Sequence, residues 1–179
     1  MGDTDDTTAE TEEHDHPHHV VANVSFGVVT VSSSRTLDAD ESGDAIVSLV
    51  ESEGMDVGAR ELVGDDKEEI RETVLELVDD GDVDAIVTTG GTGLSPADVT
   101  VESLRPHFDR EIPGFGELFR TRSDEEIGPR ALLSRACAGV IEDVPVFCLP
   151  GSRSGASFGT EELILPTIGH IVGHTTGKS

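Results

Sequence analysis

Tryptophan and tyrosine are absent from this 179-residue chain, and six phenylalanines supply all of its aromatic surface. Its core must therefore be built from Phe together with Leu, Ile and Val. Lysine occurs only at Lys67 and Lys178, and 12 basic residues face 37 acidic ones, for a formal charge of −25. Nucleic-acid binding is disfavoured, because phosphate backbones are met by basic patches. No apolar run approaches the roughly 18 residues that span a membrane, so no membrane partner is expected. The segment from Met1 to His19 lacks the basic start and apolar middle of a secretory signal, and a cytoplasmic location is expected. Two cysteines are too few for a disulfide framework. Both stand in apolar strings, Ala136-Cys137-Ala138 and Phe147-Cys148-Leu149, and are expected to be buried, inert thiols.

What is abundant is acid. Seven acidic residues lie in positions 1–19, yet the rest of the chain still holds 30 acids against 12 bases. Such a surface repels itself in dilute salt and is relieved by screening. The composition points to a salt-loving source organism; the alternative is an ordinary acidic protein. Residues 1–19 show no periodicity and are expected to form a disordered tail. Its His14, His16, His18 and His19 either bind a metal or are simply solvated. Residues 20–179 are expected to form a single domain.

Phe26 to Val31 is a short β-rich run and predicts a buried strand. Ser42-Gly43 opens a helix with Ile46, Leu49 and Val50 on one face, and Gly54 stops it. Val57 to Val63 predicts a second strand. Asp65 or Asp66 can cap the next helix, whose apolar face is Ile70, Val74, Leu77 and Val78. Ala85 to Thr88 predicts a third strand. Strand–helix–strand–helix–strand at this spacing means βαβ units and a parallel sheet, hence an α/β fold. Further helices are expected around Thr100 to Phe108, Gly116 to Arg120, from Ser123, and from about Gly155 to His170, with a late strand at Val144 to Leu149.

Thr88-Thr89-Gly90-Gly91-Thr92-Gly93 runs straight off the third strand. Ligands of open α/β sheets bind beyond the carboxyl ends of strands. Three glycines in four residues remove Cβ obstruction, so backbone N–H groups can converge on an anion, and the Thr hydroxyls add donors. A tight turn is the plainer alternative, but it gains nothing from flanking threonines. The loop matches neither common nucleotide-binding glycine pattern. Asp65 and Asp98 also follow strand ends on the same edge of the sheet. Two carboxylates beside a phosphate suggest Mg²⁺, although in so acidic a chain such a coincidence can arise by chance.

The string Thr88 to Thr100, TTGGTGLSPADVT, resembles the signature of the MoaB/Mog family of molybdenum cofactor biosynthesis, which includes the G domain of gephyrin. Other motifs similar to that family follow in order: Val31 to Thr36, Gly64-Asp65-Asp66, Glu111 to Glu117, Leu133-Ser134-Arg135-Ala136 and Leu149-Pro150-Gly151-Ser152. Phe108-Asp109-Arg110 and Ser134 to Gly139 look closer to the MoaB branch. The resemblance spans about Ser25 to Val172. It implies a three-layer, Rossmann-like molybdopterin-binding fold around a central, largely parallel sheet, assembling as a homotrimer or hexamer. It also implies adenylylation of molybdopterin by Mg-ATP with release of pyrophosphate.

Carried onto this chain, the resemblance makes Asp65 and Asp98 the catalytic and Mg²⁺-binding residues. Thr88, Thr89, Gly90, Gly91, Thr92, Gly93, Ser134, Gly151 and Ser152 become the substrate-binding set. Two positions depart from the pattern. Ser33 stands where many relatives carry Asp, which calls into question an acidic role for that loop. Arg153 stands where many carry Pro, and either pairs with phosphate or faces solvent. A non-catalytic molybdopterin carrier is the competing reading; a dinucleotide-dependent enzyme lacks its fingerprint.

Overall fold

The computed structural model describes residues 21–177. The expected tail and its four histidines lie outside the described residues. Strands β1 (Ser25–Val31), β2 (Asp56–Val63), β3 (Ala85–Thr89), β4 (Arg110–Glu111), β5 (Cys137–Ile141) and β6 (Val144–Leu149) form one sheet in the order β2-β1-β3-β6-β5-β4. The first four positions are parallel, while β5 runs antiparallel to β6 and β4 antiparallel to β5. Helices α1 (Glu41–Ser52), α4 (Pro113–Ile127), α5 (Arg153–Gly159) and α6 (Ile168–Thr175) cover one face; α2 (Lys67–Asp80) and α3 (Thr100–Leu104) cover the other. The result is the expected α/β three-layer arrangement. Among the described residues no helix is long and apolar enough to cross a membrane.

Each strand splits its side chains between the two layers, as period-2 geometry requires. Phe26 and Val28 of β1 join the core with Ile46 and Val50 of α1, whereas Val29 and Val31 join Ile70, Val74 and Val78 of α2. Helix α1 begins where the Asp40 side chain accepts the Gly43 N–H, and α2 where Asp66 accepts the N–H groups of Glu68 and Glu69. Each cap satisfies donors that the first turn leaves open. Gly81, at φ +70°, closes α2.

Three sequence expectations change. Ser123 does not start a helix: it lies buried within α4, which runs unbroken from Pro113 to Ile127. The helix expected from Gly155 to His170 is two helices. Between them Thr160–Ile164 forms a π turn, with Leu165 N–H donating to Thr160 O at 2.9 Å. Pro166 follows at once and has no N–H with which to continue the ladder. Helix α3 stops at Leu104, and Pro106 carries a 3₁₀ turn over Arg105–His107. Strand β5 was not foreseen. It pairs with β6 through a two-residue turn, Glu142-Asp143, in which Glu142 adopts φ +54°.

Candidate functional site

Sheet order reverses between β1 and β3: from β1 the chain goes outward to β2, then returns to β3 on the other side. The loops after the two central strands therefore part, and a crevice opens at their carboxyl ends. A cavity of ≈ 590 Å³ lies there. Its walls include Val31, Ser32 and Arg35 beyond β1, Asp65 beyond β2, and Gly90 to Gly93 and Asp98 beyond β3. The β6–α5 turn adds Pro150 to Ser152, and an apolar end is formed by Phe119, Ile127, Ala131, Leu133 and Phe158.

The glycine loop needs its glycines. Gly90 and Gly91 have φ +111° and +66°, and a Cβ on either would run into Val31 O or Thr100 Oγ1 respectively. Thr100 fixes the loop by donating its hydroxyl to Gly90 O at 2.8 Å and its N–H to Gly91 O at 3.1 Å. Gly90 N–H is taken by Leu149 O at 3.0 Å. Among the described residues the N–H groups of Gly91, Thr92 and Gly93 have no protein acceptor, so three adjacent open donors belong to residues that line the cavity.

Arg135 holds the loop from behind. Its N–H donates to Thr92 O at 3.0 Å, its Nε to Gly93 O at 2.7 Å and its Nη2 to Asp98 O at 2.9 Å. It also forms a salt bridge with Glu102. That bond holds the Glu102 carboxyl below its ordinary value and raises the arginine. The side chain of Asp98 is itself anchored, accepting Ser95 N–H on Oδ2 at 2.7 Å. Asp65 accepts Ser33 N–H on Oδ2 at 2.9 Å and returns its own N–H to Ser33 Oγ at 2.9 Å. Among the described residues Oδ1 of each aspartate has no protein donor.

Of the residues singled out in the sequence, Asp65, Asp98, Gly90, Gly91, Thr92, Gly93, Ser134, Gly151 and Ser152 line this one cavity. Thr88 and Thr89 do not. Both are fully buried, and their hydroxyls donate to Phe147 O and Pro150 O, tying β3 to β6. Arg153 lies outside the cavity, beside a separate groove with Glu41, Asp44 and Glu161. Sequence reasoning passed over Arg35 and Arg135 as site residues, although both stand inside family-like motifs. The available signal was a cation placed next to a strand end or loop in a chain so short of bases.

Open backbone donors, two anchored carboxylates and an apolar end thus meet at the topological switch point of an α/β domain. Residues 27–170 match the family described as "Probable molybdopterin binding domain". The chain is 42% identical over 146 residues to molybdenum cofactor biosynthesis protein B of Bacillus subtilis (strain 168), covering 81% of this chain and 86% of that one. A crystal structure of a molybdenum cofactor biosynthesis protein B superposes with TM-score 0.84 at 42% identity, covering 87% of this chain and 97% of the other. The tungsten cofactor synthesizing protein MoaB from Pyrococcus furiosus superposes at 0.77 with 38% identity, covering 86% and 97%. The chain belongs to the MoaB/Mog family of molybdenum cofactor biosynthesis proteins.

Proposed function

We propose that this protein acts in molybdenum or tungsten cofactor biosynthesis by binding molybdopterin and adenylylating it with Mg-ATP. The observation that carries the reading is the meeting, in one cavity, of the three open amides of Gly91, Thr92 and Gly93 with the carboxylates of Asp65 and Asp98. The amides seat a phosphate. The Phe119 and Phe158 end of the cavity takes a flat ring. Molybdopterin's phosphate oxygen then attacks the α-phosphorus of ATP, and pyrophosphate leaves. Such a transfer needs alignment and charge neutralisation more than covalent help.

The donor set suits Mg²⁺. Among the described residues no cluster of three or more His, Cys, Asp or Glu could hold a metal by itself. Mg²⁺ is usually bound by one or two carboxylates plus substrate phosphates, which is what Asp65 and Asp98 offer here. When bound it supplies charge neutralisation at the phosphates. The protein's own part is to hold both carboxylates still through Ser33 and Ser95.

Assembly as a homotrimer or hexamer belongs to the same proposal. Leu132, 78% exposed and outside the cavity, offers apolar surface that a second copy would cover; sedimentation equilibrium reads the assembly. The activity is tested by adding molybdopterin to protein, ATP and MgCl₂ and following pyrophosphate release and the AMP-capped product by mass spectrometry. Tight pterin binding without pyrophosphate would instead make the protein a carrier.

A further inference from the structure

Two carboxylates and an incoming polyphosphate put like charges into one crevice. Among the described residues lining the cavity, Arg35 is the one cationic side chain. It projects from the loop after β1, across the switch-point crevice from the glycine loop on β3. Its Nη1 donates to Ser42 Oγ at 2.7 Å and its Nη2 to Gly151 O at 2.8 Å. Both acceptors are neutral, and they consume two of the guanidinium's five N–H donors.

The nearest carboxylate, Asp40, is shared between Arg35 and Arg60. Asp40 Oδ1 lies 3.7 Å from Nη1, an ion-pair contact beyond hydrogen-bond distance, so it uses none of the guanidinium's N–H donors. Asp40 is fully buried, and its oxygens already accept Thr30 Oγ1, Ser42 Oγ, Gly43 N–H and Arg60 Nη2. Arg35 is therefore held in place by hydrogen bonds to two neutral groups and by an ion pair with Asp40, with three donors left over and its side chain 33% exposed. A guanidinium fixed in advance loses little freedom when it meets phosphate, and its planar fork matches two phosphate oxygens.

We infer that Arg35 is the phosphate-pairing side chain of this cavity, donating its remaining N–H groups to the polyphosphate of the nucleotide, beside the pterin phosphate seated on the amides of Gly91, Thr92 and Gly93. This rests on the proposed placement of phosphate at the glycine loop. It makes Arg35 a determinant of specificity, favouring ligands that carry more than one phosphate. The same side chain ties the Gly151 turn to the N-terminus of α1, so an anion drawn to it meets a rigid wall.

The test is calorimetric titration of the full chain with inorganic pyrophosphate, for wild type, Arg35→Ala and Arg35→Lys. Titrations are repeated across the KCl range over which thermal melts show each variant folded. Arg35→Ala is expected to bind about 10- to 100-fold more weakly, with a flatter salt dependence. Arg35→Lys, which keeps the charge but loses the fork, should fall between. Wild-type affinity in Arg35→Ala overturns the inference and leaves the glycine-loop reading standing. Equal losses in both variants with an unchanged salt dependence also overturn it, since Arg35 would then be a structural tie only. If Arg35→Ala does not fold, Arg35→Lys decides: weaker binding at an unchanged Tm supports the inference, and unchanged binding overturns it. A wild type that binds no pyrophosphate overturns this inference, and pterin titration of the same protein reads the glycine-loop placement separately.

Discussion

Ser33 and Asp65, 32 positions apart, hold each other by two reciprocal hydrogen bonds of 2.9 Å, each joining a backbone N–H to the other's side chain. The loops after β1 and β2 are thereby stapled together, and the Asp65 carboxylate is aimed while its second oxygen stays open. Ser33, which brings no acid of its own, serves the site through Asp65.

Asp65→Asn and Asp98→Asn should each lower adenylyl transfer by about 10²–10³-fold, the usual loss for an electrostatic group at the reacting centre. Molybdopterin affinity should hold, because its phosphate rests on the loop amides. Ser33→Ala removes only the acceptor for Asp65 N–H and should cost far less. Steady-state turnover beside equilibrium pterin binding separates the three. Full turnover in both Asn variants would remove the two aspartates from the chemistry.

Gly91→Val should weaken ligand binding and stability together. The loop residue sits at φ +66°, and its new Cβ would meet the Thr100 hydroxyl that pins Gly90 O. Placing a β-branched residue in this left-handed conformation costs about 1–3 kcal/mol. Thermal melts and pterin titration on the same preparation check this; lost binding at an unchanged Tm would mean that the loop tolerates the side chain.

The buried Asp40 makes stability depend on pH. Burial pushes its carboxyl up, but the bonds from Thr30, Gly43, Arg60 and Ser42 outweigh it and hold the group below its ordinary value. A lowered carboxyl stabilises the fold at pH above the ordinary carboxylate range, and that contribution disappears as pH falls through the lowered value. Asp40→Asn should therefore cost about 2–4 kcal/mol near neutrality. The gap should narrow in urea melts taken below about pH 4. A gap independent of pH would show that the charge on Asp40 does not matter.

Cys137 and Cys148 face each other across β5 and β6, both buried and unbridged. Their mutual hydrogen bond holds the Cys137 thiol below its ordinary value, while that bond and burial push Cys148 well above. Access outweighs acidity at such a site. Neither thiol should react promptly with Ellman's reagent in the folded protein, and both should react in denaturant. Prompt modification of one thiol in native protein would show that the β5 edge opens.

Low salt should weaken the fold. The excess of acid carries through the body of the chain, and the screening length grows from ~3 Å at 1 M salt to ~30 Å at 0.01 M. Melting temperature should fall steadily from molar KCl to low millimolar. A flat curve would end the case for a salt-loving origin.

The strands β1, β2, β3 and β6 and the helices α1 and α2 were legible in the sequence because their causes are local. Apolar spacing such as Ile70, Val74 and Val78 sets a helix face, Asp66 starts that helix, and Gly81 ends it. The glycine loop was legible for the same reason, since positive φ at Gly90 and Gly91 is a property of those residues themselves. Strand β5 was hidden: it is five residues long, and its turn places Glu142, not Gly or Asn, at positive φ.

The sequence by itself settled an acidic α/β chain whose third strand ends in a loop of three glycines, with acids near strand ends. Only the tertiary structure decided which of those groups meet. Thr88 and Thr89 were drawn into the β3–β6 contact, because the parallel register set Phe147 and Pro150 beside their hydroxyls. Arg35 was drawn to the carbonyl of Gly151, 116 positions away, and Arg135 to that of Gly93, 42 positions away. Backbone acceptors carry no side-chain signature, so such partnerships appear only once sheet order has brought distant loops to one edge.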